Sequence, residues 1–240
     1  TRPEPGPFRA TMRFDRMAVS IVRAHLFGTG PATVLPGGLH GFVKTRPDST
    51  ATDIQFLFRG APGNAHMWFP GIRRPYTDGF GVRPVLLHPE SRGEVLLRSA
   101  DPFDKVRIRQ NFLAAPQDIE TLRTGVKLAR EMMHQPAMDS FRGVETAPGP
   151  GIKTDAEIDD WIRRMAITAH HPSCTVPMGA GDDAPLDTEC RVKGAENLRV
   201  IDACAMPDLV SGNIHAAVLV IAEKVSDHML GKKYLMPATG

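Results

Sequence analysis

The sequence predicts an α/β (α+β) fold, on three observations. Short β-type runs cluster between residues 41 and 112, helical patterns flank and follow them, and a Leu/Val/Ile run at 198–203 precedes a final apolar helix. Taken in order, residues 8–27 place Phe14, Met17, Ala18, Ile21, Val22 and Leu26 near helical spacing, and a Gly/Pro loop follows over 28–38. Strands are expected at 41–46, 53–59, 81–87, 94–99 and 106–112, forming an antiparallel sheet with one covered face. Pro89, Ser91 and Gly93 between Leu87 and Glu94 suit a hairpin turn. The next helix, 118–133, sets Ile119, Leu122, Val126, Ala129 and Met133 on one face and stops before Pro136. Thr154-Asp155-Ala156-Glu157 is a capping box for a helix through Ile158, Trp161, Ile162 and Met165. The last helix starts at Asn213 or Ile214 and ends near Gly231; its run Ala216 to Ala222 is apolar on nearly every side, which predicts burial.

Composition narrows the class. The chain has 240 residues, enough to bury a real core, and its net charge of +2 gives no footprint for nucleic acid. Its longest apolar run is far too short to span a membrane. Three cysteines (Cys174, Cys190, Cys204) argue against a disulfide framework and for a reducing, cytoplasmic compartment. Thr1-Arg2-Pro3-Glu4-Pro5-Gly6-Pro7 has no initiator Met and no signal-peptide core, so it reads as the middle of a longer polypeptide, in a Pro-rich linker.

Chemistry concentrates in the last third. Pro172 restricts His171 to extended backbone, presenting an imidazole, a group that titrates near neutrality, from a rigid loop. Taken alone, His170-His171-Pro172 reads as a structural or solvent-facing pair before it reads as a catalytic one. Asn213 opens the last helix, where a cap role is the ordinary explanation and a ligand contact the functional one. Asp202-Ala203 closes the 198–203 strand; strand ends gather ligands in α/β sheets, but they also simply turn. Gly28-Thr29-Gly30-Pro31 misses the dinucleotide fingerprint, there is no Gly-x-Ser-x-Gly elbow, and His171 with Cys174 lacks a second ligand pair for a metal. Leu35, Phe56, Phe58, Trp68 and Phe69 are candidates for pocket walls or for core.

Read jointly, three segments resemble the glucose–methanol–choline (GMC) oxidoreductase family. They are His171-Pro172-Ser173-Cys174-Thr175-Val176-Pro177-Met178-Gly179, Asn197-Leu198-Arg199-Val200-Ile201-Asp202-Ala203-Cys204-Ala205-Met206-Pro207, and Ser211-Gly212-Asn213-Ile214-His215-Ala216. Upstream, Ser91-Arg92-Gly93-Glu94-Val95 and Ser99-Ala100-Asp101-Pro102 with Asn111 resemble the family's substrate-domain hairpin. The resemblance implies FAD as cofactor and oxidation of a small alcohol to aldehyde or ketone, the flavin N5 accepting hydride. It implies His171 as the base, with His170 its rival, and Asn213 as the group that orients the substrate oxygen. Flavin contacts would come from His170, Asp202, Ala203, Ile214 and His215, the backbone N–H groups of the last two facing the pyrimidine ring.

The resemblance also implies the C-terminal part of an FAD-binding Rossmann-like domain joined to an antiparallel-sheet substrate domain. Residues 1–160 are expected to be mostly substrate-binding domain, and 161–240 to complete the FAD domain and active site. The family's Gly-rich nucleotide motif is absent, so the expected partner is an N-terminal FAD-binding half, as a separate chain or a cleaved fragment. Cys174 stands where the family's usual loop has Gly. A lyase on the same fold, or a non-catalytic subunit of a split flavoprotein, is the alternative reading.

Overall fold

The computed structural model describes residues 1–34, 37–47 and 49–232. In chain order the elements are α1 (Pro7–Thr11), α2 (Phe14–Phe27), β1 (Gly37–Val43), β2 (Ile54–Arg59), β3 (Gly81–Leu86), β4 (Glu94–Leu96), β5 (Arg107–Arg109), α3 (Pro116–Met133), α4 (Asp155–Met165) and α5 (His215–Met229). They divide into two compact units. One comprises Thr1–Leu86 with Pro116–Met165, the other Leu87–Ala115 with the chain from Ala166 onward.

In the first unit β1, β2 and β3 form an antiparallel sheet in sequence order, with Phe56 opposite Gly41 on one side and Pro84 on the other. Gly38 sits at an irregularity between Gly37 and Leu39 with φ of 104°, a conformation that suits a residue without Cβ. Ile54 and Phe56, both essentially inaccessible, pack against Ala129, Leu122 and Met132 of α3. Gly125 lets that helix approach: a Cβ there would lie 3.0 Å from the Pro84 Cβ and 3.3 Å from Ile54 Cδ1. The capping box of α4 forms as expected. Glu157 N donates to Thr154 Oγ1, and Glu157 Oε2 accepts from Thr154 N at 2.8 Å and Lys153 N at 2.9 Å. Arg123 of α3 then clasps Asp159 of α4 at two points, 2.6 and 2.8 Å.

Two sequence expectations need correction here. The single helix over 8–27 is two, because the backbone at Met12–Phe14 pairs with Trp68: Trp68 N donates to Met12 O and Phe14 N to Trp68 O. Periodicity cannot see a partner more than fifty residues away. The stretch 87–93 is not a hairpin turn, since β3 pairs with β2 whereas β4 pairs with β5 in a separate two-stranded sheet. Gly93 lets that second sheet close, for a Cβ there would run into the carbonyls of Arg109 and Gln110. The apolar stripe of α2 is also largely uncovered: Phe14, Ile21, Val22 and Leu26 are exposed, and Ser20 is its one buried residue.

The second unit is built around Leu186, Cys190, Ala205 and Val225, with Val176, Met178, Val200, Ile201 and Ile221 packed on them. The expected strand at 198–203 is extended chain with one bridge, Arg191 to Arg199, because the described residues pair it nowhere else as a ladder. Burial of α5 is one-sided. Val225 is buried and Ile221 packs on the core, but Leu219 and Val220 are 51% and 64% exposed.

Candidate active site

The second unit holds every residue that the sequence singled out for chemistry. Its frame is a short turn of 3₁₀ helix, Ala203–Ala205, capped by Asp202, whose Oδ1 accepts from Cys204 N at 2.7 Å. Along this turn runs the chain that follows His171. The N–H groups of Cys174, Val176 and Met178 donate to the carbonyls of Ala203, Cys204 and Ala205 at 3.1, 3.0 and 2.9 Å. Alternate donors of an extended segment thus meet three successive acceptors of the turn, and the histidine loop is fastened beside Asp202-Ala203.

Cys174 begins that ladder with φ of 63°, in the left-handed region. A side chain is strained there and Gly is not, which explains in physical terms why a glycine suits this position. His170 is likewise left-handed (φ 62°) and exposed, with its N–H on Thr168 Oγ1 at 3.0 Å. His171 is half-buried. The two neighbours therefore present their imidazoles from different backbone geometry.

Asn213 is exposed and lies two residues before α5, in a loop where Gly212 N donates to Val210 O at 2.7 Å. Ile214 occupies the N-cap of α5 with no side-chain cap hydrogen bond and no acidic residue in the first turn. The first-turn N–H groups, beginning with His215, are thus left to other acceptors, with the helix dipole behind them. Ala203 is half-buried and has only a methyl group to offer, so a ligand can come close to its backbone. These features fit a planar, carbonyl-bearing cofactor such as a flavin.

The thiols are poor nucleophile candidates. Burial pushes Cys190 up from the ordinary thiol range. At Cys204 a Thr175 hydrogen bond pulls down, but burial and Asp202 push up and prevail. Among the described residues no group of His, Cys, Asp and Glu could hold a metal, and no helix is long and apolar enough to cross a membrane.

Some expectations move elsewhere. Phe56 and Phe58 belong to the core under α3, and Trp68 Nε1 is spent on Arg9 O at 2.9 Å. Phe69 is half-buried and pairs its backbone with Arg73, and Leu35 lies outside the described residues. One residue near the site went unread in the sequence: His88, whose Nε2 lies 2.8 Å from Ser211 Oγ. Its signal was present as His88-Pro89, the same dipeptide as His171-Pro172.

The profile of the GMC oxidoreductase C-terminal region matches residues 89–222, more than half the chain. The oxygen-dependent choline dehydrogenase of Vibrio vulnificus (strain YJ016) is 41% identical over 198 residues, covering 82% of this chain and 35% of the relative. That of Pseudomonas entomophila (strain L48) is 39% identical over 212 residues, covering 88% and 36%. The chain thus spans about a third of the length of these curated relatives. Among solved structures, pyridoxine 4-oxidase from Mesorbium loti superimposes with a TM-score of 0.65 at 33% identity, over 81% of this chain and 38% of that one. Formate oxidase from Aspergillus oryzae RIB40, studied for its FAD modification, has a TM-score of 0.79 over 95% and 42% at 22% identity, a likeness of fold. With its histidine loop, capped turn and uncapped helix start in one unit, the chain belongs to the GMC oxidoreductase family, whose C-terminal region it matches.

Proposed function

We propose that this chain supplies the proton-handling and substrate-orienting part of an FAD-dependent enzyme that oxidises a small alcohol to an aldehyde or ketone. The cofactor is FAD. When bound, it supplies the two-electron acceptor that no side chain provides. An imidazole nitrogen of His171 takes the hydroxyl proton, and Asn213 Nδ2–H donates to the substrate oxygen and fixes its direction. As an amide, Asn213 cannot replace the base. The N–H groups of Ile214 and His215 lend positive field to the flavin's pyrimidine end, while Asp202 and Ala203 shape the backbone against which it lies. His170 is the neighbouring cofactor contact. The partner is an N-terminal FAD-binding half, on the same polypeptide or a second one, and the open apolar faces of α2 and α5 are where it would pack. Residues 1–160 would be mostly substrate domain and 161–240 the segment returning to the FAD domain. The cytoplasm, where unpaired thiols stay reduced, suits Cys174, Cys190 and Cys204.

The observation that carries this reading is the ladder from Cys174, Val176 and Met178 to Ala203–Ala205. It supports a histidine loop and a cofactor-facing turn built as one piece. The test is an anaerobic mixing of the assembled flavoprotein with primary alcohols, aromatic and heterocyclic ones included, without added base. Loss of the oxidised flavin absorbance is expected. An unbleached flavin across the series would favour a lyase, and a preparation with no flavin would favour a binding subunit.

A further inference from the structure

We propose that His88 is a positioning residue that, with Arg92, clamps the loop carrying Asn213; the catalytic consequence rests on the role given to Asn213 above. The loop from Pro207 to Ile214 contains neither helix nor strand, so no ladder of regular hydrogen bonds sets its path. Among the contacts that hold it, two side-chain hydrogen bonds come from the segment 88–92. His88 Nε2 and Ser211 Oγ share a hydrogen bond of 2.8 Å, and Arg92 Nη2 reaches Asp208 Oδ1 at 3.3 Å. Asp208 and Ser211 are three residues apart, so the loop is gripped at two points, the second of them two residues before Asn213.

The gripping segment is itself fixed. Arg92 Nη1 donates to Pro89 O at 2.5 Å, Asn111 Nδ2 donates to Arg92 O at 3.0 Å, and Ser91 Oγ accepts from Ala115 N at 3.0 Å. Gly93 brings the start of β4 hard against the end of β5. On the Ser211 side there is open space: a Cβ on Gly212 would meet nothing within 4 Å. Position therefore passes from the 88–92 segment to the loop. An exposed hydrogen bond contributes little to global stability, but a loop displacement near 1 Å at a group that aims the substrate costs about 100-fold in rate.

The experiment uses the assembled FAD-loaded protein with His88→Ala, His88→Gln and Ser211→Ala. Amide hydrogen exchange over 209–214 is read without substrate, and the limiting rate of flavin reduction with it. The Gln amide reaches a similar position and can donate or accept. His88→Ala and Ser211→Ala should each accelerate exchange at 209–214 and slow reduction by about tenfold or more, with flavin content unchanged and substrate affinity little altered. His88→Gln should restore both. If His88→Ala does not fold, Ser211→Ala carries the same test. Unaltered exchange in the alanine variants, or failure of Gln to restore it, overturns the clamp. Accelerated exchange with a reduction rate within about twofold of native overturns the role given to Asn213, so the two failures are told apart.

Discussion

The sheet under α3 and the surface of α5 both carry apolar runs in sequence, yet the fold treats them differently. Ile54 and Phe56 on β2 find Leu122, Ala129 and Met132 of α3 and are shut off from water. On α5, Val225 and Ile221 meet Leu186 and Ala205, while Leu219 and Val220 on the other side stay open. Apolar patterning states which side chains gain from cover; it does not state whether the cover lies within the same stretch of chain. The first region is complete by itself. The second is covered on one side only.

This contrast can be broken by substitution. The largest effect should come from Phe56→Ala, which removes a fully buried ring and leaves a cavity; a loss of about 3–5 kcal/mol is expected in urea unfolding. A loss no greater than that of a surface change would deny that this layer is the core. Next, Cys174→Gly should raise stability by about 0.5–1 kcal/mol, relief of the left-handed strain outweighing the extra chain entropy. A lower unfolding midpoint would mean that the Cys174 side chain is needed. Smallest is Val220→Ser on the open side of α5, expected within about 0.5 kcal/mol for this chain alone. The same change should matter more once an FAD-binding half is present, as measured by the affinity between the two.

Acid should act on the site's frame as well. The Arg191 guanidinium first, then the N–H groups of Arg191 and Glu189, hold the Asp187 carboxyl down to about 2, against about 3.9 in an unfolded chain. A depressed carboxylate stabilises the fold above its unfolded value, and that contribution is lost as pH falls through the folded one. The thermal midpoint should therefore drop between about pH 4 and pH 2, and Asp187→Asn should remove that part of the slope.

The candidate site was read from local signals. His171-Pro172, Asp202-Ala203 and Ser211-Gly212-Asn213 are contiguous signals, and the Thr154–Glu157 box formed as written. What the sequence could not show is non-local. The break before Phe14 depends on Trp68, the separation of β3 from β4 depends on the pairing of β4 with β5, and His88 gains meaning only when Ser211 arrives beside it. The missing strand ladder at 198–203 has the same origin, since a strand is defined by its neighbour and not by its residues.

Anaerobic reduction of the bound flavin by an alcohol, compared between His171→Ala and His170→Ala, decides which imidazole is the base. His171→Ala is expected to slow reduction by about 100-fold or more, and His170→Ala by far less. Near-native reduction in His171→Ala, with the loss appearing in His170→Ala, would contradict the assignment of the base to His171.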